Sequence, residues 1–582
     1  MLDPFYDAST KRARYTRIIS QLWTERSTFD SHWRDLAEFF IPRRVRFDNS
    51  DRNKGDKRNQ NIINSTGRFA ARTLQSGLHA GLTSPARPWM KLTIPDRDMS
   101  EFGPVREWLH ATTQRMMTIF AVSNLYNSLP LVYGDMGVFG TAAMFIGEDD
   151  KEVFRCEVFP VGTYALGLDR RGRITTFARK YQLSVRQVIE EFALRENRSI
   201  DWSVVSTAVK RSWDAGNYED PVDICWLILP NEDYDPNRLE SRYAMPWKSC
   251  HFEEGNFENV GAGADDGRKF LRESGFNEFP IMAPRWDITG GDSYGTDCPG
   301  MTALGDNRQL QIMERRKGQA IAKMIDPPLT GPSTLRTQKT SLLPGDVTYQ
   351  DVREGMQGLR PIHEVRLDLS HMTADIQGVE YRIKRAFYED LFLMLATSDP
   401  YRGAAPPTAR EIEERHEEKL LALGPTLERT NDELLDPMVE RIFEMMARAG
   451  LIPPPPPELE GVDLKVEYVS VLAQAQKLVG VSSSDRFLQT FVPLVEVFPE
   501  TRAKIDPLRL VDIYSDMLGV DPRVIRSDEE AEAIVDEQAQ QQRAAAEAEQ
   551  AATLAKAVRD GSQAPMGQDS ALDRILAGVT GR

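Results

Sequence analysis

Residues 374–411 read ADIQGVEYRIKRAFYEDLFLMLATSDPYRGAAPPTARE, and the interpretation of the whole chain starts from this stretch. Its apolar side chains recur at spacings of three and four residues, which predicts one helix over Ala374–Ala396. Several proline and glycine residues then interrupt residues 397–407, so this segment is expected to be a loop. Thr408 and Glu411 have the spacing of a capping box, which predicts that a second helix begins there.

The second helix is long and heavily charged, and we predict that it spans Thr408–Ala449. Proline removes a backbone hydrogen bond and clashes with the preceding turn, so kinks are expected at Gly424–Pro425 and at Pro437. The run Pro453–Pro457 follows, and it predicts a stiff polyproline spacer.

Another helix is predicted on the N-terminal side of this stretch, over Tyr294–Ile325, and the run Asp326-Pro-Pro328 ends it. About 45 residues separate it from the helix at Ala374, and their prolines and glycines argue against helix. Two strands are plausible within this segment, at Val347–Val352 and Ile362–Leu369. We therefore expect two helices that pack against each other and present an inserted module at their far end.

Residues 1–293 show a mixed pattern of helices and short strands, which predicts an α+β domain. Beyond the polyproline run we expect a strand at Val466–Val471 and short helices to about residue 518. Residues 527–560 are rich in Ala, Gln and Glu, with nine acidic and three basic side chains. Such a helix has few large apolar residues to bury, so it is expected to be solvated or packed against copies of itself. The fold class is therefore α+β and rich in helix.

Composition limits the classes of function. The chain has 582 residues and a formal net charge of −16, which argues against tight nonspecific binding of nucleic acid. No apolar run is long enough to span a membrane, and the N-terminus lacks a signal-peptide pattern, so synthesis in a cytoplasm without membrane insertion is expected. The four cysteines form no CxxC pair, and we expect buried, reduced thiols.

A search for catalytic chemistry finds no motif. The sequence contains no Gly-Lys dipeptide and therefore no P-loop, no GxSxG nucleophile motif, and no histidines at metal-ligand spacing. No catalytic, metal or cofactor residue is therefore assigned. Paired carboxylates, for example Asp149–Asp150, are expected to lie in solvated loops.

The basic loop Arg43–Arg58 is expected to be exposed, and a contact with nucleic acid or with an acidic protein is left open.

The helix Tyr294–Ile325 also carries a basic cluster, whose members are Arg308, Arg315, Arg316, Lys317 and Lys323. Two interpretations stay open for it. The cluster either faces DNA or forms ion pairs with acidic neighbours.

Four stretches, in a fixed order, resemble one family of proteins. They are Ser76–Trp89 (SGLHAGLTSPARPW), Gly137–Ile146 (GVFGTAAMFI), Tyr294–Ala303 (YGTDCPGMTA) with the helix that ends in Asp326-Pro-Pro328, and Val469–Lys477 (VSVLAQAQK). With the layout of helices, the likeness covers roughly residues 10–525. The chain resembles the portal proteins, also called head-to-tail connectors, of short-tailed bacteriophages.

The resemblance implies a division of the chain and assembly as a ring, usually of twelve subunits. The implied parts are a wing (1–293), a first stem helix (294–325), a clip (326–370), a second stem helix (371–396), a tunnel loop (397–407), a long kinked helix (408–450), a crown (451–526), and a C-terminal helix with a flexible tail (527–582).

The resemblance also implies site residues. In the tunnel loop, Ser398, Tyr401, Arg402 and Gly403 would face DNA. On the first stem helix, Arg308, Arg315 and Lys317 would face the channel. In the clip, Arg336, Lys339 and Arg353 would dock partners.

The implied partners are other copies of the chain, double-stranded viral DNA in transit, the large terminase, tail adaptor and tail tube proteins, and the major capsid and scaffolding proteins. The implied location is the portal vertex of the virion, after assembly in the host cytoplasm. Two other hypotheses are kept for comparison. One is a metal-dependent DNA-processing enzyme that uses the scattered carboxylates, and the other is an internal scaffold or ejection protein of a virion.

Overall fold

A computed structural model describes most of the chain up to residue 469 and one helix near the C-terminus. The described residues are 8–48, 55, 57–96, 99, 102–195, 197–255, 270–326, 328–331, 360–361, 369–396, 423–459, 461, 464–469, 511 and 528–561. The structure is a mixture of helices and antiparallel sheets, as expected for an α+β protein. Among the described helices, none has the length and apolar content needed to cross a bilayer.

The chain divides into two compact units. The first comprises Met1–Thr93 and Trp108–Gln476, and the second comprises Ile94–Glu107 and Lys477–Arg582. In the second unit, the longest described element is the last helix of the chain.

The helices lie before, between and after the strands. In chain order they are α1 (Ala8–Phe39), α2 (Thr66–Leu82), α3 (Gly103–Val122), α4 (Leu125–Phe139), α5 (Val185–Val188), α6 (Thr207–Asp214), α7 (Ser241–Ala244), α8 (Pro299–Ile325), α9 (Leu369–Ala386), α10 (Glu389–Ala396), α11 (423–430), α12 (Asp436–Arg448) and α13 (Asp528–Gly561). Two π-helical turns, Ile189–Ala193 and Asn431–Leu435, and a 3₁₀ turn at Pro457–Leu459 complete the helical segments.

The strands form small antiparallel sheets. They are β1 (Met90–Thr93), β2 (Met144–Asp149), β3 (Val153–Val158), β4 (Tyr164–Leu168), β5 (Ile174–Ser184), β6 (Pro221–Pro230), β7 (Trp247–Glu253), β8 (Arg272–Phe276), β9 (Ile281–Met282), β10 (Leu329–Thr330), β11 (Arg360–Pro361) and β12 (Lys465–Tyr468). The largest sheet has the order β4-β5-β6-β7-β8, and a second has the order β3-β2-β9. The mixture of helices and short strands predicted for residues 1–293 is thus confirmed.

One face of the five-stranded sheet packs against α1. Tyr15 and Ile19 of this helix are buried with Ala178, Leu227 and Cys250 of the central strands. The burial follows from sequence pattern, because α1 is amphipathic and alternate residues of each strand point to the same face. This packing fixes the long first helix to the sheet.

The helix predicted over Ala374–Ala396 is not continuous, and this prediction is wrong in that respect. The structure has α9 and α10, separated at Phe387 and Tyr388. Tyr388 has a φ of 53°, in the left-handed region that a helix interior excludes. The apolar spacing continues across the break because residues of both helices are buried, so the pattern alone did not reveal it.

A kink was predicted at Pro437, and the structure has a π turn immediately before it, over Asn431–Leu435. The N–H of Asp436 donates to the carbonyl of Asn431, five residues earlier, and Pro437 itself has no N–H to donate. The wider turn therefore accommodates the proline without ending the helical path from 423 to 448.

One pairing was not predicted. Strand β12 (Lys465–Tyr468) lies antiparallel to β1 (Met90–Thr93), with Met90 opposite Tyr468. The two strands are separated by more than 370 residues, so no local pattern indicated that they pair. The segment after the polyproline run is therefore joined to the N-terminal part of the same compact unit.

Several predicted elements lie outside the described residues. They are the strands at Val347–Val352 and Ile362–Leu369 except for Leu369, the loop 397–407, the start of the long helix at Thr408, and the short helices between 473 and 518 except for Val511. Leu369 itself is the first residue of α9.

Candidate functional site: an anchored helix pair

Helices α8 and α9 form the pair that brackets residues 326–368. Arg382, near the end of α9, donates to Asp306, near the start of α8, with a distance of 3.0 Å between Nε and Oδ1. At the other end, β10 and β11 pair antiparallel. The two helices therefore run in opposite directions, as expected for a pair that carries an insertion at its far end.

A buried polar cluster joins this pair to α1 and to the start of α2. Gln311 of α8 is central: its Oε1 accepts from the backbone N–H groups of Ile63 (2.7 Å) and Asn64 (2.8 Å). Its Nε2 donates to the carbonyl of Asn64 (2.9 Å) and to Oδ1 of Asn307 (3.0 Å). Asn307 in turn donates to the carbonyl of Phe39, at the end of α1.

Helix α9 joins the same cluster through Glu380. The Nδ2 of Asn64 donates to Glu380 (2.8 Å) and, at longer range, to Glu314 of α8 (3.3 Å). Thr66 adds a bond to Glu380 at 3.3 Å. A single asparagine thus contacts both helices of the pair, so the pair and the start of α2 are expected to move together.

The basic residues predicted to face a channel have different surroundings. Arg308 pairs with Asp35 at 2.6 Å and lies over the ring of Phe39. Lys317 lies 3.7 Å from Glu314 on its own helix. Arg315 is exposed. Acidic neighbours therefore engage Arg308 and Lys317, whereas Arg315 projects into solvent.

Two sets of predicted site residues lie outside the described residues. They are Ser398, Tyr401, Arg402 and Gly403 of the tunnel loop, and Arg336, Lys339 and Arg353 of the clip. The structure does describe the helix that leads into the loop. In α10, Phe392 is buried against Gly77 of α2, where a side-chain carbon would lie only 2.2 Å from its ring. The chain before residue 397 is thus held by a glycine that permits this close approach.

The helical path from 423 to 448 is attached to the sheets by buried arginines that sequence reasoning missed. Arg285 donates to Glu433 in the π turn, with 2.6 Å between Nη2 and Oε1. Arg441 of α12 donates to the carbonyl of Ile146 (3.0 Å) and to Glu278 (3.0 Å). Burial lowers the pKa of the Arg441 guanidinium to about 10, while Glu278 acts in the opposite direction.

A signal for Arg441 was present in the sequence. It stands among the apolar residues Met438, Ile442 and Met445, all of which are buried. A charged residue within an apolar stripe indicates a buried ion pair, although it does not identify the partner.

The basic loop after α1 has a structural role in its first part. Arg44 forms a bidentate ion pair with the buried Asp135 of α4. The distances are 2.8 Å from Nε to Oδ1 and 2.8 Å from Nη2 to Oδ2. The backbone N–H of Arg46 donates to the carbonyl of Val161. This segment therefore attaches to the folded unit, and Arg44 is not available to nucleic acid.

The sequence is similar to known proteins along nearly its whole length. Residues 12–525 match the family described as bacteriophage head to tail connecting protein. The chain is 43% identical over 556 residues to the portal protein of Salmonella phage epsilon15, covering 96% of this chain and 95% of that protein. It is also 43% identical over 529 residues to a probable portal protein of Bordetella phage BPP-1, covering 91% of each.

The chain belongs to the bacteriophage head-to-tail connecting protein family. Members of this family are structural components of the phage particle, so this connecting protein is not an enzyme. The alternative hypothesis of a metal-dependent DNA-processing enzyme is wrong.

The carboxylates behind that hypothesis have structural partners in this connecting protein. Asp149 accepts hydrogen bonds from the backbone N–H groups of Glu152 and Lys151 in the turn after β2, and these bonds lower the pKa of its carboxyl. Glu253 accepts from the N–H of Ser206 at 2.9 Å. In the described part of the chain, no cluster of three metal-ligating side chains occurs.

Proposed function

We propose that the chain is a portal protein that forms a ring, usually of twelve copies, at one vertex of the capsid. Double-stranded DNA would pass through the ring during packaging and ejection. The observation that carries the proposal is the match to phage portal proteins over more than nine-tenths of the chain. A ring of identical subunits uses two different surfaces of each copy and closes when the rotation between neighbours is right.

The charge distribution supports a conduit for DNA. The chain as a whole carries −16, whereas α8 has five basic residues and two acidic ones. A predominantly acidic ring repels phosphate and prevents strong adhesion of DNA, and a few exposed basic residues allow brief phosphate contacts. The proposed DNA-facing residues of the stem are Arg308, Arg315 and Lys317, of which Arg315 is the most exposed.

The remaining parts keep the roles that the resemblance implies, as proposals. Residues 326–370 would be the clip, which docks the large terminase and then the tail adaptor through Arg336, Lys339 and Arg353. Residues 397–407 would be the tunnel loop. The chain has no P-loop, so the force for packaging would come from the terminase. Assembly would occur in the host cytoplasm, with the major capsid and scaffolding proteins.

Electron microscopy of the purified protein tests the main proposal. The expected result is a ring with a central hole, and the number of subunits can be counted from end views. Monomers or compact dimers at every protein and salt concentration would contradict the proposal.

Charge reversal tests the DNA-facing role of the stem. Arg315→Glu should leave rings intact and reduce the number of DNA-filled particles, because each subunit then presents an added negative charge to the phosphates. Lys151→Glu, at an exposed turn between β2 and β3, is the matched control. Equal yields from both variants would remove Arg315 as a DNA contact.

Two further variants test the loop and the clip. Deletion of Tyr401–Ala405 should leave rings intact and impair packaging or retention of DNA. The variants Arg336→Glu and Lys339→Glu should weaken binding of the terminase or the tail adaptor in a pull-down. Normal phage yield in the first case, or unchanged binding in the second, would contradict the assigned role.

A further inference from the structure

Two exposed apolar residues occupy matching positions on the two helices of the pair. Ile312 of α8 is 51% exposed and Tyr381 of α9 is 64% exposed. Ile312 lies two residues from the buried Leu310, and Tyr381 lies two residues from each of the buried Val379 and Ile383. Two residues correspond to about 200° around a helix, so both side chains point away from the buried faces of the pair.

The two residues lie at similar heights along the pair. Asn64 contacts both Gln311 and Glu380, and these are the immediate neighbours of Ile312 and Tyr381 in the sequence. Gln311 and Glu380 both face Asn64, and the two helices are antiparallel, so the step of about 100° to the next residue turns in opposite senses and places the two side chains on opposite flanks. One flank of the pair therefore presents Ile312 and the other presents Tyr381, at levels that differ by no more than about one helical turn.

A glycine beside Tyr381 provides space on its flank. Gly378 is exposed in the middle of α9, and a side-chain carbon added there would have no neighbour within 4 Å. A glycine in a helix interior is less favourable than alanine by about 1 kcal/mol, and no described residue of this copy packs closely enough to explain it. The result is a shallow notch one turn before Tyr381.

The charges of the two flanks are compatible. Arg315 and Arg316 are exposed on α8 close to Ile312, and the flank of α9 offers the electron-rich ring of Tyr381. The nearby Lys384 already pairs with Glu389 at 3.9 Å. A guanidinium is attracted to the face of a tyrosine ring. Such a contact at the edge of an apolar interface adds attraction without requiring a buried ion pair.

We propose that Ile312 of one copy packs into the notch beside Tyr381 of the next copy, with Arg316 at the edge of the contact. The inference rests on the proposed ring, and it names the surfaces by which neighbouring subunits meet. Because the two flanks differ, each copy uses one flank for each neighbour, which is the head-to-tail arrangement that a closed ring requires. The axis of the ring then runs roughly along the helix pair.

Disulfide trapping tests this contact. All four native cysteines are buried, so they do not compete with introduced thiols. The double variant Ile312→Cys/Tyr381→Cys should yield, after mild oxidation, a ladder of linked species up to the full ring on a non-reducing gel. Each single variant should give on the order of tenfold less linkage, because each junction would then carry only one thiol. A short bismaleimide linker repeats the test with looser geometric demands.

The control pair and a second measurement exclude nonspecific effects. Leu239→Cys/Tyr381→Cys combines the same α9 position with a fully exposed leucine and should give no ladder. Gly378→Met should fill the notch and reduce the fraction of rings several-fold, whereas Gly318→Met, at an equally open glycine of α8, should not.

Electron microscopy of the same samples distinguishes a failure of this contact from a failure of the proposed ring. Rings that show no ladder with either reagent, together with normal rings from Gly378→Met, would overturn this contact and leave the proposed function standing. The absence of rings from the unmodified protein would overturn both.

Discussion

Two long helices of this protein, α8 and α13, differ in what holds them. Helix α8 has 27 residues, seven of which are buried, and Gln311 alone connects it to two residues outside the helix, Ile63 and Asn64. Helix α13 has 34 residues, and most of its described side chains are exposed. Local preference favours helix in both, and in α8 the contacts of buried side chains add to that preference. A helix can thus be specified by its composition while most of its described side chains remain exposed.

Removal of the central polar group of α8 should have the largest effect. Gln311→Leu keeps the approximate volume but leaves the N–H groups of Ile63 and Asn64 and the carbonyl of Asn64 without their partner. Buried unsatisfied groups are each worth about 1–3 kcal/mol, so we expect a loss of about 3 kcal/mol in the free energy of unfolding. Chemical denaturation of the purified protein measures it.

The matched control for that variant lies on the same helix. Gln309 is exposed, and among the described residues its amide donates to the sulfur of Met313, so Gln309→Leu should change the stability by less than about 0.5 kcal/mol. Similar losses from both variants would mean that the buried cluster is not what anchors α8.

Steric filling at the neighbouring contact should have a smaller effect. Gly77→Ala places a methyl group 2.2 Å from the buried ring of Phe392, so α10 must shift away from α2. Overpacking of this kind is typically destabilising by about 1–3 kcal/mol, and a lower melting temperature is expected. An unchanged melting temperature would show that α10 is not held tightly by α2.

A substitution at an open glycine of α8 is expected to increase the stability of the protein. Gly318 has free space where a side chain would project, so Gly318→Ala should stabilise the helix by about 0.5–1 kcal/mol. Thermal unfolding compared with the unmodified protein provides the measurement. Destabilisation would indicate a close neighbour at this position, such as another subunit.

Truncation of the C-terminal helix should have the smallest effect. Removal of residues 528–582 deletes α13, most of whose described side chains are exposed, and exposed side chains contribute little hydrophobic stabilisation. We expect the main unfolding transition to shift by less than about 0.5 kcal/mol. A large drop in melting temperature would show that α13 is held as firmly as α8, and the contrast between the two helices would then fail.

Local pattern was sufficient for most elements of the fold. Apolar periodicity predicted α8 and the helix pair, and the mixed pattern of residues 1–293 predicted an α+β domain. It failed at Tyr388, because a left-handed residue can interrupt a helix while buried residues continue at helical spacing on both sides. It also could not reveal the pairing of β1 with β12, since hydrogen bonds between strands leave no trace in local sequence.

In the candidate site, too, the sequence predicted which residues are present but not which residues they contact. A basic cluster on α8 was predicted, but its partners were not: Arg308 is engaged by Asp35, nearly 275 residues earlier, while Arg315 is exposed. The anchoring residues Asn64, Gln311 and Arg441 carry no motif. Their roles depend on which polar groups become neighbours after folding, and burial then makes those contacts necessary.

Residue types and their spacing along the chain were enough to establish the class of fold, most of the order of helices and strands, the absence of a P-loop, and, through four motifs, the family. These properties depend on residue spacing along the chain and on the types of residue present. The three-dimensional contacts were needed to establish which charges are neutralised, where the helix pair is anchored, and which apolar side chains of that pair remain exposed. Those properties depend on distances between residues far apart in sequence, and burial and solvent screening set the free energy of each contact.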